Sequence, residues 1–208
     1  MSLELTALTR SRTAGCLCFT LTLKPAFSAF FLEVEPSLKA MKNLGHPYKG
    51  FLYAGLMINK GEPYLIEYNI RMGDPECQVL MMRLETDLLE IIDRATKNKI
   101  NNLKIEWNKK SSITIVLCAK GYPYNYIKDS EIKNLSNVLT DKNNQIFHAG
   151  TYEKNNKTYS SGGRVLNITS SSESLTEARN KSLANIDKIN WPDGFFRKDI
   201  GWRTINNK

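Results

Sequence analysis

With 208 residues, 41% of them apolar and 24% charged, the chain is long enough to bury a core for one medium domain or two small ones, and its composition excludes a disordered polymer. A formal charge of +8 favours anionic partners, yet the lysines are scattered among Asn, Ser and Ile with no basic block interleaved with aromatics, which argues against nucleic-acid binding. No stretch reaches the ~18 apolar residues of a membrane span. Four cysteines without a CxxC pair, and no His at ligand spacing, indicate neither a zinc site nor a disulfide framework and fit the reduced thiols of a cytoplasmic protein.

Residues 1–35 stand apart. Every Asn lies at or beyond Asn43, and Lys24 is the only Lys before Lys39, although both residue types are abundant afterwards. The shift marks a boundary near Glu35 and predicts a leader made of tag residues or of a shifted reading frame. Thr20 and Thr22 interrupt its apolar run, so it makes a poor signal peptide.

From Pro36 to Leu44 the spacing of Leu38, Met41 and Leu44 predicts a short helix stopped by Gly45. Two strand-like runs follow, Gly50 to Asn59 and Pro63 to Ile70, joined by Lys60-Gly61-Glu62 as a hairpin. Asp74 offers an N-cap and Pro75 suits the first helical position. Leu80, Leu84, Leu88, Ile91 and Ala95 predict one continuous helix from there to about Thr96, and 98–102 reads as a linker. Beyond it lie strands at Ser112–Ala119, Gln145–His148, Lys157–Ser160 and Arg164–Thr169. A last helix is opened by the capping pattern Ser174-x-x-Glu177 and ended by Trp191-Pro192.

Chemistry concentrates between Leu65 and Glu76. Side chains alternate along a strand, so Glu67, Asn69 and Arg71 are expected on one face. A carboxylate and an amide oxygen two residues apart suit Mg²⁺, which completes its shell with phosphate oxygens and water, and the Arg71 fork suits a phosphate or a carboxylate. The N–H groups at the start of the following helix favour anions as well. Spacing alone is equally compatible with a surface pair between Glu67 and Arg71 and a solvated Asn69.

A second candidate is Gly162-Gly163-Arg164. Two glycines let a backbone approach an anion while Arg164 supplies charge, or they simply mark a turn between strands. His46 and His148 are isolated and form no recognisable triad. Cys77 sits where a helix N-terminus could lower its pKa, but no partner base is near in sequence, and a silent thiol is the expectation.

The run Gly45-His46-Pro47-Tyr48-Lys49-Gly50-Phe51-Leu52-Tyr53-Ala54-Gly55-Leu56-Met57 and then Glu67-Tyr68-Asn69-Ile70-Arg71-Met72-Gly73-Asp74-Pro75-Glu76 resembles glycinamide ribonucleotide synthetase, an ATP-grasp ligase of purine synthesis. The likeness continues through Ala119-Lys120-Gly121-Tyr122-Pro123, His148-Ala149-Gly150-Thr151, Gly162-Gly163-Arg164-Val165-Leu166 and Arg197-Lys198-Asp199-Ile200-Gly201-Trp202. It spans about residues 36 to 203, and it departs where Tyr124-Asn125-Tyr126 and Cys77 stand.

The resemblance implies an α+β architecture. Residues 36–105 would be the last part of an ATP-grasp lobe, antiparallel strands with a helix; 106–203 would be a small β-rich domain with one helix that closes over the substrate cleft; 204–208 would be a tail. It implies ligation of glycine to 5-phosphoribosylamine with ATP as co-substrate and Mg²⁺ or Mn²⁺ on Glu67 and Asn69. Arg71 and Asp74 would act at the substrates, with Glu76, Gly162, Gly163 and Arg164 binding them. The strands and loops that hold adenine have no match here, so the chain is expected to be inactive alone. The alternative is a non-catalytic half of a split enzyme, an interaction module whose partner is the missing N-terminal half.

Overall fold

The computed structural model describes residues 8–10, 16–19, 34–60 and 62–206. The leader expected over 1–35 lies mostly outside the described residues. The chain divides into two compact units, one made of residues 1–73 and 84–107, the other of 74–83 and 108–208.

In the first unit the expected hairpin is present as β3 (Gly50–Asn59) and β4 (Glu62–Asn69), paired antiparallel, with Lys60 at positive φ in the turn. Two short strands, β1 (Leu8–Arg10) and β2 (Cys16–Phe19), extend the sheet, β2 lying parallel to β3. Neighbouring residues of β3 point to opposite faces, and each face has its own core. Leu52 packs with Val34 and with Leu38 of α1 (Glu35–Asn43). Phe51 packs against Ile91, Ala95, Ile100 and Leu103.

The continuous helix expected from Asp74 to Thr96 is two helices, α2 (Glu76–Arg83) and α3 (Leu88–Thr96). Leu84 leaves the helix to bridge with Trp107, and Asp87 restarts it by accepting bonds from the backbone N–H groups of Leu89, at 2.7 Å, and Glu90, at 3.2 Å. The apolar period runs on across this break, which is why periodicity alone could not find it. The two helices also part company in packing, since α2 belongs to the second unit and α3 to the first. The expected linker at 98–102 contains a short 3₁₀ turn whose Ile100 is buried in the α3 core.

The second unit is built on an antiparallel sheet in the order β11 (Gly194–Phe195), β5 (Ser111–Ala119), β10 (Arg164–Ser172), β7 (Asn144–His148). A smaller sheet places β9 (Lys157–Ser160) between β6 (Glu131–Ile132) and β8 (Thr151–Lys154). Helix α4 (Leu175–Ile186) is capped by Ser174 as expected, its Oγ accepting from the Glu177 N–H at 3.2 Å. Both α4 and α2 pack on β5 and β10. The core joins Ile115, Leu117, Val165, Leu166, Ile168, Ile186 and Trp191.

Strand β10 is buried at every position from Val165 to Ser172, although five of those eight residues are polar. Cross-strand hydroxyl pairs satisfy two of them: Thr169 Oγ1 donates to Thr114 Oγ1 at 2.8 Å and Ser171 Oγ to Ser112 Oγ at 3.0 Å. Asn167 is different, 1% exposed with neither amide atom bonded to another protein group. An unsatisfied buried amide costs about 1–3 kcal/mol, whereas an apolar side chain of similar shape carries no such penalty. Asn167→Leu is therefore expected to raise unfolding free energy by about 1 kcal/mol in urea titration. A loss of stability instead would show that a buried partner, such as an ordered water, serves the amide.

Candidate functional site

The end of β4 carries the first group of candidates. Up to Leu65 the strand pairs regularly, Leu65 opposite Leu56; then Glu67 lies opposite Gly55 and Asn69 opposite Tyr53, leaving Ile66 as the extra residue of a β-bulge. Glu67 and Asn69 share a face, as expected from their spacing. The strand stops at Asn69, so Arg71 lies beyond it, in the bend that follows.

The three side chains nevertheless form a hydrogen-bonded series. Asn69 Nδ2 donates to Glu67 Oε1 at 2.9 Å, Arg71 Nη2 donates to Asn69 Oδ1 at 3.2 Å, and Arg71 Nη1 donates to the Met72 carbonyl at 2.9 Å. The amide of Asn69 thus joins a carboxylate and a guanidinium, and the simple Glu67–Arg71 surface pair is not what forms. Glu67 and Arg71 are exposed and Asn69 is partly buried.

The remaining candidates belong to the second unit. The Asp74–Pro75 peptide is cis, these two residues form a turn, and α2 begins at the exposed Glu76. The carboxylate oxygens of Asp74 take side chains. Oδ1 accepts from Gln78 Nε2 at 3.2 Å, and Oδ2 pairs with Arg164 Nη2 at 3.0 Å. Arg164 Nη1 also donates to the Asp74 carbonyl at 3.0 Å, so one guanidinium holds both the side chain and the backbone of this turn. Cys77 is half-buried, and burial, reinforced by the Asp74 carboxylate, pushes its thiol up despite its place in the first turn of α2.

The Gly162-Gly163 pair makes its close approach to protein. Gly150 and Gly162 cross backbone to backbone: a Cβ on Gly150 would stand 2.7 Å from Gly162 Cα and 2.8 Å from the Arg164 carbonyl. The Ser161 N–H donates to the Gly150 carbonyl at 2.8 Å, with the Gly162 N–H sharing it at 3.3 Å. A Cβ on Gly163 would lie 2.2 Å from the ring of Tyr122. None of these glycines has a positive φ, so proximity and not backbone conformation requires them. Of the two alternatives open in the sequence, this geometry favours a packed turn that delivers Arg164 to Asp74.

Comparison with known proteins bears on both regions. The family description "Phosphoribosylglycinamide synthetase, ATP-grasp (A) domain" matches residues 14–77, and "Phosphoribosylglycinamide synthetase, C domain" matches residues 112–203. The chain belongs to the phosphoribosylglycinamide synthetase family. It is 43% identical over 175 residues to a phosphoribosylamine–glycine ligase of Brucella melitensis, covering 84% of this chain and 41% of the relative. A chloroplastic phosphoribosylamine–glycine ligase of Arabidopsis thaliana is 44% identical over 179 residues, covering 84% of this chain and 34% of the relative. The crystal structure of the phosphoribosylamine–glycine ligase of Thermotoga maritima superposes with a TM-score of 0.70 at 30% identity, over 83% of this chain and 42% of that one. The chain therefore spans about two fifths of the length of these bacterial relatives. The match to the phosphoribosylglycinamide synthetase ATP-grasp domain reaches back to residue 14, inside the segment that composition sets apart.

For this family member the donor set can be tested against a metal. Glu67 and Asn69 present a carboxylate and an amide oxygen on one face, the hard donors that Mg²⁺ or Mn²⁺ takes. Among the described residues no group of three or more His, Cys, Asp or Glu side chains could hold a metal, and two donors leave room in an ion's shell for phosphate and water. The pair fits an ion shared with a nucleotide, not one caged by protein.

Sequence reasoning missed three residues. Gly55 stands opposite Glu67, Gly150 receives Gly162, and Tyr122 covers Gly163. All three lie within the motifs that carry the resemblance, but motif matching names residues without saying which others they touch. No helix among the described residues is long and apolar enough to cross a membrane.

Proposed function

We propose that the chain supplies the metal-ligand strand and the C-terminal domain of an ATP-dependent ligase that joins glycine to 5-phosphoribosylamine. The observation that carries this reading is the joined Glu67, Asn69 and Arg71 at the end of a strand within a family-matched segment. Mg²⁺ or Mn²⁺ held by Glu67 and Asn69 would offset charge on the nucleotide phosphates. In the reaction the γ-phosphoryl of ATP passes to the glycine carboxylate, giving glycyl phosphate and ADP; the amine of phosphoribosylamine then attacks the acyl carbon and phosphate leaves. Arg71 has the fork to receive phosphate or carboxylate oxygens, in exchange for its present bond to Asn69. Asp74 and Glu76 serve the substrates, and Arg164 holds Asp74 in place. The cytoplasmic location expected from the cysteine spacing goes with this reading.

Because the chain spans about two fifths of the length of its bacterial relatives, ligation on this view also needs the part of the enzyme that completes the nucleotide site. The exposed side chains of Met57, Tyr64, Ile66 and Ile70 in the first unit favour a second reading, an interaction module that docks such a part. ADP release from ATP and Mg²⁺, measured with and without glycine plus fresh phosphoribosylamine beside a full-length enzyme, tests the proposal. Silence of the chain, with activity restored by the remaining part of a relative, is the expected result. A chain that stays monomeric at high concentration in sedimentation and restores nothing would count against both readings.

A further inference from the structure

Resting on the metal reading of Glu67 and Asn69, we propose that Gly55 is the positioning residue of that pair, acting together with the β-bulge at Ile66. Before the bulge, Leu65 shares a face with Leu56. In regular pairing Glu67, two residues on, would point to that same face. The extra residue Ile66 moves Glu67 to the other face, opposite Gly55, where it stands beside Asn69. The exposed Ile66 side chain takes no part in either core described for this unit.

Turning the side chain is not enough, because it must also find room. A Cβ built on Gly55 lies 3.2 Å from Glu67 Cγ and 3.6 Å from the Glu67 carbonyl. The first distance is tighter than ordinary van der Waals contact, and it falls on the methylene that aims the carboxylate. Gly55 has no positive φ, so nothing in its own conformation demands glycine. A glycine inside a strand weakens the strand, and its place opposite Glu67 marks a close approach. The consequence is specific. Any side chain at position 55 turns the Glu67 carboxylate away from Asn69 while the hairpin itself is preserved.

The test uses the full chain with Mn²⁺ and ATP together as the probe, read by water-proton relaxation, and melting temperature read beside it. Gly55→Ala is expected to lower Mn²⁺ affinity by about tenfold to a hundredfold, the range seen when groups that orient metal ligands are altered, with the melting temperature unchanged or raised. The contact to be relieved is with a flexible methylene, so the alanine variant folds; Gly55→Ser, of similar size and more polar, repeats the measurement independently. A Gly55→Ala chain that binds Mn²⁺ as the parent does, while Glu67→Ala with Asn69→Ala has lost it, overturns the positioning role and leaves the metal site standing. A parent that binds no better than that double variant overturns the metal reading itself, and the proposal with it.

Discussion

Replacing Glu67 and Asn69 together by alanine should remove divalent-metal-dependent nucleotide binding, with apparent affinity in Mg²⁺ falling on the order of 100-fold and binding without metal little changed. The size of the effect follows from the geometry. The protein supplies two oxygen donors on one strand face and, among the described residues, no metal-holding cluster that could substitute for them. Losing both removes the two donors proposed to hold the ion. The double change should be mild for folding, since the bonds it breaks are exposed ones from Asn69 to Glu67 and from Arg71 to Asn69, and exposed charged contacts contribute roughly 0–1 kcal/mol. Calorimetric titration with nucleotide, with and without Mg²⁺, separates the outcomes. A melting temperature lowered by several degrees with nucleotide binding intact would make the series a structural device and retire the ligand assignment.

The largest stability effect is expected from Gly150→Ala, a loss of about 3 kcal/mol, at the upper end of ordinary overpacking costs. The added Cβ would meet Gly162 Cα and N at 2.7 Å and the Arg164 carbonyl at 2.8 Å. All three are backbone atoms, so no side-chain rotation relieves the clash. The two segments must separate, which endangers the bond from the Ser161 N–H to the Gly150 carbonyl at 2.8 Å and the bond from the Gly150 N–H to the Arg164 carbonyl at 3.0 Å. Gly163→Ala should be milder although its nominal distance is shorter, 2.2 Å, because the obstacle is the Tyr122 ring, which can turn. Urea denaturation of the two variants checks the order. Equal losses, or a larger loss at Gly163, would mean that Tyr122 is locked and that the Gly150 crossing is the softer contact.

Arg164 shows how packing redistributes roles. In the linear sequence it stands next to two glycines, a pattern that points to an anion site. In the fold its guanidinium is occupied by the carbonyl and carboxylate of Asp74, 90 positions earlier. The charge is used to hold a turn that carries another candidate, and the glycines before it are consumed in bringing chain to chain.

What the sequence by itself determined was short-range. The hairpin of β3 and β4, the strand β5, the Ser174 cap of α4, and the adjacency of Glu67, Asn69 and Arg71 all depend on turn chemistry, side-chain alternation and caps within a few residues, and those forces leave a local trace. Motif order along the chain carried the family. Tertiary structure decided the rest. It broke the continuous apolar period at Leu84 and Asp87 and gave α2 and α3 to different units, because the two halves of one stripe find different cores. It turned Glu67 across the sheet through a single extra residue, set Gly55 opposite it, and joined Arg164 to Asp74. Each depends on which residues meet across the sheet or across the chain, and a contact between distant segments leaves no period and no spacing for a linear sequence to show.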